Sequence, residues 1–176
     1  MTVVSRDAGG ILVALVPEDA LLLRSLASQV VEMLRPDEPA SADPLEEMVG
    51  LSQSPAPPPT DPAVQRLLPD AYAEQTAATE FRRLMDVELR RIKVAALDQL
   101  LADLDDGGVR LDDDGAEQWL QALNDVRLVL GVRLDVQEDL DEFVRSLPSD
   151  DARLPLLYAY DRVTRLQDAL LGVIDG

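Results

Sequence analysis

An acidic stretch between two predicted helices holds the residues best suited to binding a metal ion. It runs from Asp103 to Asp114 and reads DLDDGGVRLDDD. In the twelve-residue calcium loop of an EF-hand, Asp103 and Asp105 would take the first and third positions. Gly108 would take the sixth, where such a loop turns sharply, and Asp114 the twelfth. The fifth position is a glycine and the twelfth an aspartate rather than a glutamate, so two interpretations stay open: a calcium site, or a turn that caps one helix and starts the next.

Two charged side chains fall on predicted apolar helix faces. Arg127 lies within the apolar stripe of a helix over about 113–131. Glu88 lies in the middle of the apolar face of a longer helix over 75–104, whose predicted members are Phe81, Leu84, Met85, Leu89, Ile92, Ala95 and Ala96. A charge buried among apolar side chains requires a partner. The sequence therefore predicts a Glu88–Arg127 ion pair across the interface of the two helices. The alternative is that Arg127, with Asn124 at the edge of the stripe, lines a pocket that binds an anion.

The other side of the longer helix carries a cluster of basic residues, which we call the basic face. Its members are Arg82, Arg83, Arg90, Arg91 and Lys93. The simplest interpretation is a solvated helix face that the acidic loops of the protein, at 103–114 and 135–142, neutralise. Docking of an acidic partner protein is the alternative, and nucleic-acid binding is a third.

Composition narrows the classes of function. The 176 residues carry a formal net charge of −18, from 34 acidic and 16 basic side chains. That charge repels phosphate backbones and anionic lipids, so we expect no nucleic acid and no membrane as partner. Cysteine and histidine are absent, which removes thiol nucleophiles, the usual zinc ligands and histidine bases. We therefore expect no catalytic residues, no cofactor and no enzymatic activity.

The sequence predicts a mostly α, single-domain helical bundle over residues 1–176. Aromatic residues make up only 3% of the chain while 47% is hydrophobic, so the core must consist of Leu, Val and Ala, which favours helices. The main helices are expected near 17–35, 75–104, 113–131 and 154–174, with a short one opened by Asp61-Pro62. A short two-stranded ribbon could pair about 11–16 with 108–111. Residues 1–10 are expected to be a polar lead-in. Prolines recur over 36–61, which predicts a linker or loosely packed arm with a short helix near 43–50.

Several segments resemble an uncharacterised actinobacterial family, domain of unknown function 2017. The matching segments are LLLRSLASQVVEML, DPLEEMVG, DPAVQRLLPDAY, FRRLMDVELRRIK, GGVRL, WLQALNDVRLVLG and YDRVTRLQDALL. They span nearly the whole chain, and none is a catalytic signature. The resemblance implies an intracellular, soluble, mostly helical protein with no established activity and no known site residues.

These observations favour a non-enzymatic interaction or regulatory protein of the cytoplasm. The acidic loops would recruit a basic protein partner and the basic face an acidic one, and either surface could also drive homo-oligomer formation. One alternative is a small-molecule or calcium-binding protein that uses the Arg127 region or the loop 103–114. A second alternative is a transcriptional regulator, for which the helix around residues 82–93 is the only candidate recognition helix. No stretch is apolar enough to span a membrane, and the apolar run at 11–16 is too short for a signal-peptide core.

Overall fold

A computed structural model describes residues 2–35, 59–69, 75–104, 108–135, 144, 147–148 and 150–175, with the backbone only for 75–84. Within these ranges the chain forms three strands and five helices. In chain order they are β1 (Val3–Asp7), β2 (Gly10–Ala14), α1 (Pro17–Leu34), α2 (Pro62–Leu67), α3 (Gln75–Asp103), β3 (Val109–Leu111), α4 (Asp113–Leu134) and α5 (Leu154–Ile174). The expected mostly α fold is confirmed, and the four long helices lie close to their predicted bounds.

The sheet has three antiparallel strands in the order β1-β2-β3. The predicted pairing of β2 with β3 is confirmed, with Ile11 opposite Leu111 and Val13 opposite Val109. Residues 1–10, expected only to be a polar lead-in, contain strand β1, which pairs along its whole length with β2. The side chains of β1 are mostly exposed, so this strand lacks the apolar alternation by which strands are recognised in a sequence.

Local capping chemistry explains where the helices begin. Pro17 and Pro62 occupy the first turns of α1 and α2, where a fixed φ and a missing N–H cost nothing. The Asp61 carboxylate accepts a hydrogen bond of 2.8 Å from the Ala63 backbone N–H at the start of α2. The Asp112 carboxylate caps α4 in the same way. These side chains satisfy backbone donors that have no partner within the helix.

Helix α4 is the centre of the fold. It packs against each of the other four helices and against β2 and β3. Its predicted apolar stripe is largely buried, and Trp119, Leu123 and Val126 expose 1% or less of their surface. The side predicted to be polar is only partly exposed, because Glu117 and Gln118 face solvent whereas Asp125 is 1% exposed. The burial of Asp125 creates the need for a partner to its carboxylate.

Helix α3 turns a different face to the core from the one that its periodicity predicted. Met85 and Ile92, placed on the apolar face by the sequence, are 43% and 41% exposed. The buried residues are Ala96, which the sequence placed on the predicted face, together with Leu97 and Leu100, which it did not, and Leu104 just after the helix. The prediction failed because the helix carries apolar residues on two faces, and the hydrophobic period alone does not distinguish the face that packs.

The proline-rich arm at 36–61 lies outside the described residues except for 59–61, as does the short helix expected near 43–50. Among the helices that are described, none is both long enough and apolar enough to cross a lipid bilayer.

Candidate functional site

The predicted Glu88–Arg127 pair does not form. Glu88 lies on the exposed side of α3, where its Oε1 is 2.6 Å from Nη2 of Arg91 on the same helix. Arg127 is half-buried on α4, and its side chain makes no hydrogen bond or ion pair with any residue in the described ranges. Because α3 packs with a different side from the predicted one, Glu88 faces solvent and does not reach Arg127. Asn124 is also half-buried, and the anion-pocket interpretation of these two residues stays a prediction.

A different buried ion pair joins the same two helices. Lys93 of α3 donates to Oδ1 of Asp125 of α4 across 2.6 Å, and the two side chains are only 12% and 1% exposed. The second carboxylate oxygen, Oδ2, is buried without a hydrogen-bond partner among the described atoms. Burial raises the pKa of the Asp125 carboxyl, although the ammonium of Lys93 acts in the opposite direction. The pair therefore links two helices at a high desolvation cost, and its position suits a structural role.

The basic face is not a continuous solvated surface. Lys93 points inward to Asp125, and Arg90 is also largely covered, at 18% exposed. Arg90 donates from Nε to Oδ2 of Asp86 at 2.7 Å and from Nη1 to the Leu34 carbonyl oxygen at 3.0 Å. It thereby places a positive charge at the negative end of α1, which is the favourable end for a cation. Arg91 is exposed, and the side chains of 82 and 83 lie outside the described part.

Some residues of the acidic loop have structural roles, and others lie outside the described part of the chain. Oδ2 of Asp103 accepts a hydrogen bond of 2.8 Å from the indole N–H of Trp119, and Oδ1 accepts one of 2.9 Å from Gln99. Asp105 lies outside the described ranges, and Asp114 is exposed in the first turn of α4. Within those ranges no group of three acidic side chains is placed to hold a metal ion. The calcium hypothesis stays a prediction, and each carboxylate oxygen of Asp103 already accepts one hydrogen bond.

A groove between α1, α5 and the first two strands was not predicted from the sequence. It encloses about 250 Å³. Its walls are mostly aliphatic: Val4, Leu15, Leu22, Leu23, Val163 and Leu166. An aliphatic groove of this size could receive one or two apolar side chains of another molecule.

One end of the groove is polar. Arg162 of α5 donates from Nε to Oδ1 of Asp19 of α1 at 2.8 Å, and the Thr2 hydroxyl donates to Oδ2 of Asp19. Burial pushes the pKa of the Asp19 carboxyl upward, but the hydrogen bonds from Arg162 and Thr2 outweigh it and hold that pKa below its usual value. The guanidinium of Arg162 also lies 5.7 Å from the ring centre of Tyr158. The sequence offered no signal for this cluster, because its members are distant in the chain.

The fold and these surfaces define a class of protein: a helical protein with one central helix and a small antiparallel sheet. In the described part of the chain, its polar clusters connect neighbouring helices and strands. The family model described as Domain of unknown function (DUF2017) matches residues 1–174. The chain belongs to this family, which confirms the resemblance seen in the sequence.

Two kinds of mycobacterial relative match the chain. The "Oxidative stress regulator AosR" of Mycobacterium tuberculosis (strain ATCC 25618 / H37Rv) is 31% identical over 189 residues, which cover 98% of this chain and 85% of that protein. The "Putative oxidative stress regulator AosR" of Mycobacterium leprae (strain TN) is 32% identical over 145 residues, which cover 73% of this chain and 67% of that protein. No solved structure matches the chain.

Proposed function

We propose that this protein is a non-enzymatic regulator that binds a basic protein partner in the response to oxidative stress. The observation that carries this proposal is the 31% identity, over 98% of the chain, to a protein named as an oxidative stress regulator. The net charge of −18 supports a basic partner. The small-molecule, calcium-binding and transcriptional alternatives stay predictions from the sequence.

The absence of cysteine removes thiol chemistry from any sensing step within these 176 residues. Regulators that respond to oxidants commonly do so through a reactive thiolate. These 176 residues contain no cysteine, so this chain cannot register an oxidant through a thiol or a disulfide of its own. We therefore place the oxidant-sensitive step in the partner, or in the control of how much of this protein is made.

The groove and the acidic start of α4 supply a suitable binding surface. Asp113, Asp114 and Glu117 are exposed there. Arg6 of β1 connects this acidic end to the groove side, because it forms an ion pair with Asp113 and donates to the Val173 carbonyl oxygen of α5 at 3.4 Å. A partner could thus place an apolar side chain in the groove while its basic residues face the start of α4. Such an arrangement combines an apolar anchor with charged flanks.

The test combines affinity purification with surface variants. The tagged protein is recovered from lysates of its own host, with and without peroxide treatment, at low and high salt, and co-purifying proteins are identified by mass spectrometry. Glu117→Lys reverses a charge at the start of α4, and Asp168→Lys makes the same change at an exposed position of α5 as a control. Ala169→Arg obstructs the groove, whereas Ala152→Arg adds the same side chain at an exposed position outside its lining.

The proposal predicts a stoichiometric basic partner that is lost at high salt, because screening weakens charge pairing between surfaces. Glu117→Lys and Ala169→Arg should lose this partner while the two controls retain it. Recovery of the protein without a partner under every condition would refute the proposal. Equal loss of the partner in the controls would refute the assignment of the surface.

A further inference from the structure

The exposed side of α3 carries a regular stripe with the spacing of a coiled-coil seam. Its positions alternate by three and four residues and every one is exposed: Met85, Glu88, Ile92, Ala95, Gln99 and Ala102. In heptad terms these are successive a and d positions. The stripe extends over 18 residues, or about 25 Å at the helical rise. A seam of this length on one helix matches the contact length of a helix pair.

Two observations distinguish this stripe from an ordinary solvated face. Met85 and Ile92 are large apolar side chains that are 43% and 41% exposed, although a different side of the same helix supplies the core. Ala95 and Ala102, on the same stripe, are small enough to let a second helix approach closely. The large apolar residues therefore lie in the N-terminal half of the stripe and the small ones in its C-terminal half, so an antiparallel pairing can place each large residue against a small one.

We propose that the stripe pairs with the same stripe of a second copy of this chain in an antiparallel homodimer. If Ile92 of each copy lies opposite Ala95 of the other, Met85 lies opposite Ala102, and Glu88 opposite Gln99. Each large apolar residue then faces a small one, and the carboxylate of Glu88 faces an amide donor. This alignment, with residue numbers of facing positions that add to 187, leaves no carboxylate facing another carboxylate along the seam.

The flanking charges agree with the same alignment and select the antiparallel orientation. Arg91 and Asp98 are both exposed and lie at equivalent heptad positions beside the seam. In the proposed alignment these flanking positions meet diagonally, because Asp98 of one copy lies two residues beyond the position directly across from Arg91 of the other. Arg91 of each copy therefore pairs with Asp98 of the other, and the twofold symmetry forms this ion pair twice. In a parallel, in-register pairing, each Glu88 would instead face Glu88 of the other copy, which is unfavourable. The self-complementarity of charge is the argument for a second copy as the occupant.

The first experiment measures self-association of the full chain by sedimentation velocity from about 1 µM to about 1 mM, where a dimer of modest affinity would become populated. Ile92→Glu places a charge at the centre of the seam. The matched control is Val87→Glu, which changes a β-branched residue to the same charge on the same helix, off the seam and at 63% exposed. We expect Ile92→Glu to weaken dimer formation about tenfold or more and Val87→Glu to change it little. Circular dichroism verifies that both variants are folded.

The second experiment tests the alignment by charge reversal. Arg91→Asp and Asp98→Arg should each weaken the dimer, because each creates two like-charge contacts. The double variant should restore it, and an equimolar mixture of the two single variants should form a heterodimer. Because each copy carries a net charge of −18, added salt should strengthen this dimer by screening long-range repulsion. That salt response is opposite to the one expected for the basic partner, so the two proposals can fail separately.

Three results would overturn the inference. The first is a monomer over the whole concentration range. The second is a dimer that Ile92→Glu leaves intact or that Val87→Glu weakens equally, because either would place the interface elsewhere. The third is failure of the double charge reversal to restore the dimer that its single variants weaken, because the antiparallel alignment would then be wrong.

Discussion

The two partners of the buried ion pair between α3 and α4 should differ strongly in how much their substitution lowers the free energy of unfolding. Lys93→Met keeps the length of the side chain but leaves the carboxylate of Asp125, 1% exposed, without its cation. Since Oδ2 already lacks a partner among the described atoms, the carboxylate would lose its remaining side-chain contact of 2.6 Å. Removal of one member of a buried ion pair costs about 3–5 kcal/mol. We expect Lys93→Met to lower the free energy of unfolding by that amount.

Substitution of the other partner, Asp125, should lower the free energy of unfolding by less. Asp125→Asn leaves Lys93, which is 12% exposed, and its flexible stem can carry the ammonium to water. The expected loss is about 1–2 kcal/mol, the scale of a hydrogen bond to a charged group. The double variant Lys93→Met/Asp125→Asn should be more stable than Lys93→Met alone, because it buries a neutral amide rather than an unpaired charge. The coupling between the two sites should be at least about 1 kcal/mol.

Urea unfolding followed by the fluorescence of Trp119, the only tryptophan and 1% exposed, measures these differences. Without Lys93 the pKa of Asp125 should rise further above its unfolded value. A raised folded pKa gives a contribution to stability that is complete below the unfolded pKa and is lost as the pH rises through the folded pKa. Lys93→Met should therefore be less destabilised at about pH 5 than at about pH 8, relative to the parent protein.

A control removes an exposed cation from the same helix. Arg91→Met deletes the partner of Glu88, whose side chain is 48% exposed, and should leave the free energy of unfolding unchanged. A loss of less than about 1 kcal/mol for Lys93→Met, or a loss that is the same at both pH values, would refute the reasoning, since it would mean that Asp125 reaches solvent or another partner when Lys93 is absent.

Three further predictions concern the groove, the sheet and α2. The pKa of Asp19 lies below its usual value, so its contribution to stability is complete above about pH 4 and is lost as the pH falls through the folded pKa. Arg162→Gln should reduce the decline in the free energy of unfolding at acid pH, as measured by urea titrations. An unchanged decline would contradict the pairing of Asp19 with Arg162. Gly10→Ala should lower the stability measured in thermal melts by about 1–3 kcal/mol. Gly10 has a φ of +116°, and an added Cβ would collide with a backbone oxygen of β3. The control Gly172→Ala adds a Cβ in open space and should not destabilise the protein. Asp61→Ala should lower stability by about 1 kcal/mol through loss of the α2 cap, and Asp61→Ser should recover most of it; equal losses would assign the effect to the ion pair with α4.

Short-range chemistry in the sequence was sufficient to locate most of the elements. Pro17 and the Asp61-Pro62 pair mark the starts of two helices, because a capping carboxylate and a fixed φ act on backbone groups only a few residues away. The β-prone runs at 11–16 and 108–111 were paired correctly by composition and by their positions before helices. In contrast, β1 escaped recognition, because its stability comes from its ladder with β2 rather than from an apolar pattern of its own.

The partners of the charged side chains were decided by tertiary structure alone. The predicted buried pair had the right helices and the wrong residues, since Lys93 and Asp125, 32 positions apart, take the roles assigned to Glu88 and Arg127. Asp19 and Arg162, 143 positions apart, meet in a groove that no local pattern indicates. Helix α3 has apolar residues on two faces, and the face that packs is selected by the sum of its contacts with α1 and α4. That sum is a property of the assembled core, so the sequence determines that α3 is a helix while the packing determines which side of it remains exposed.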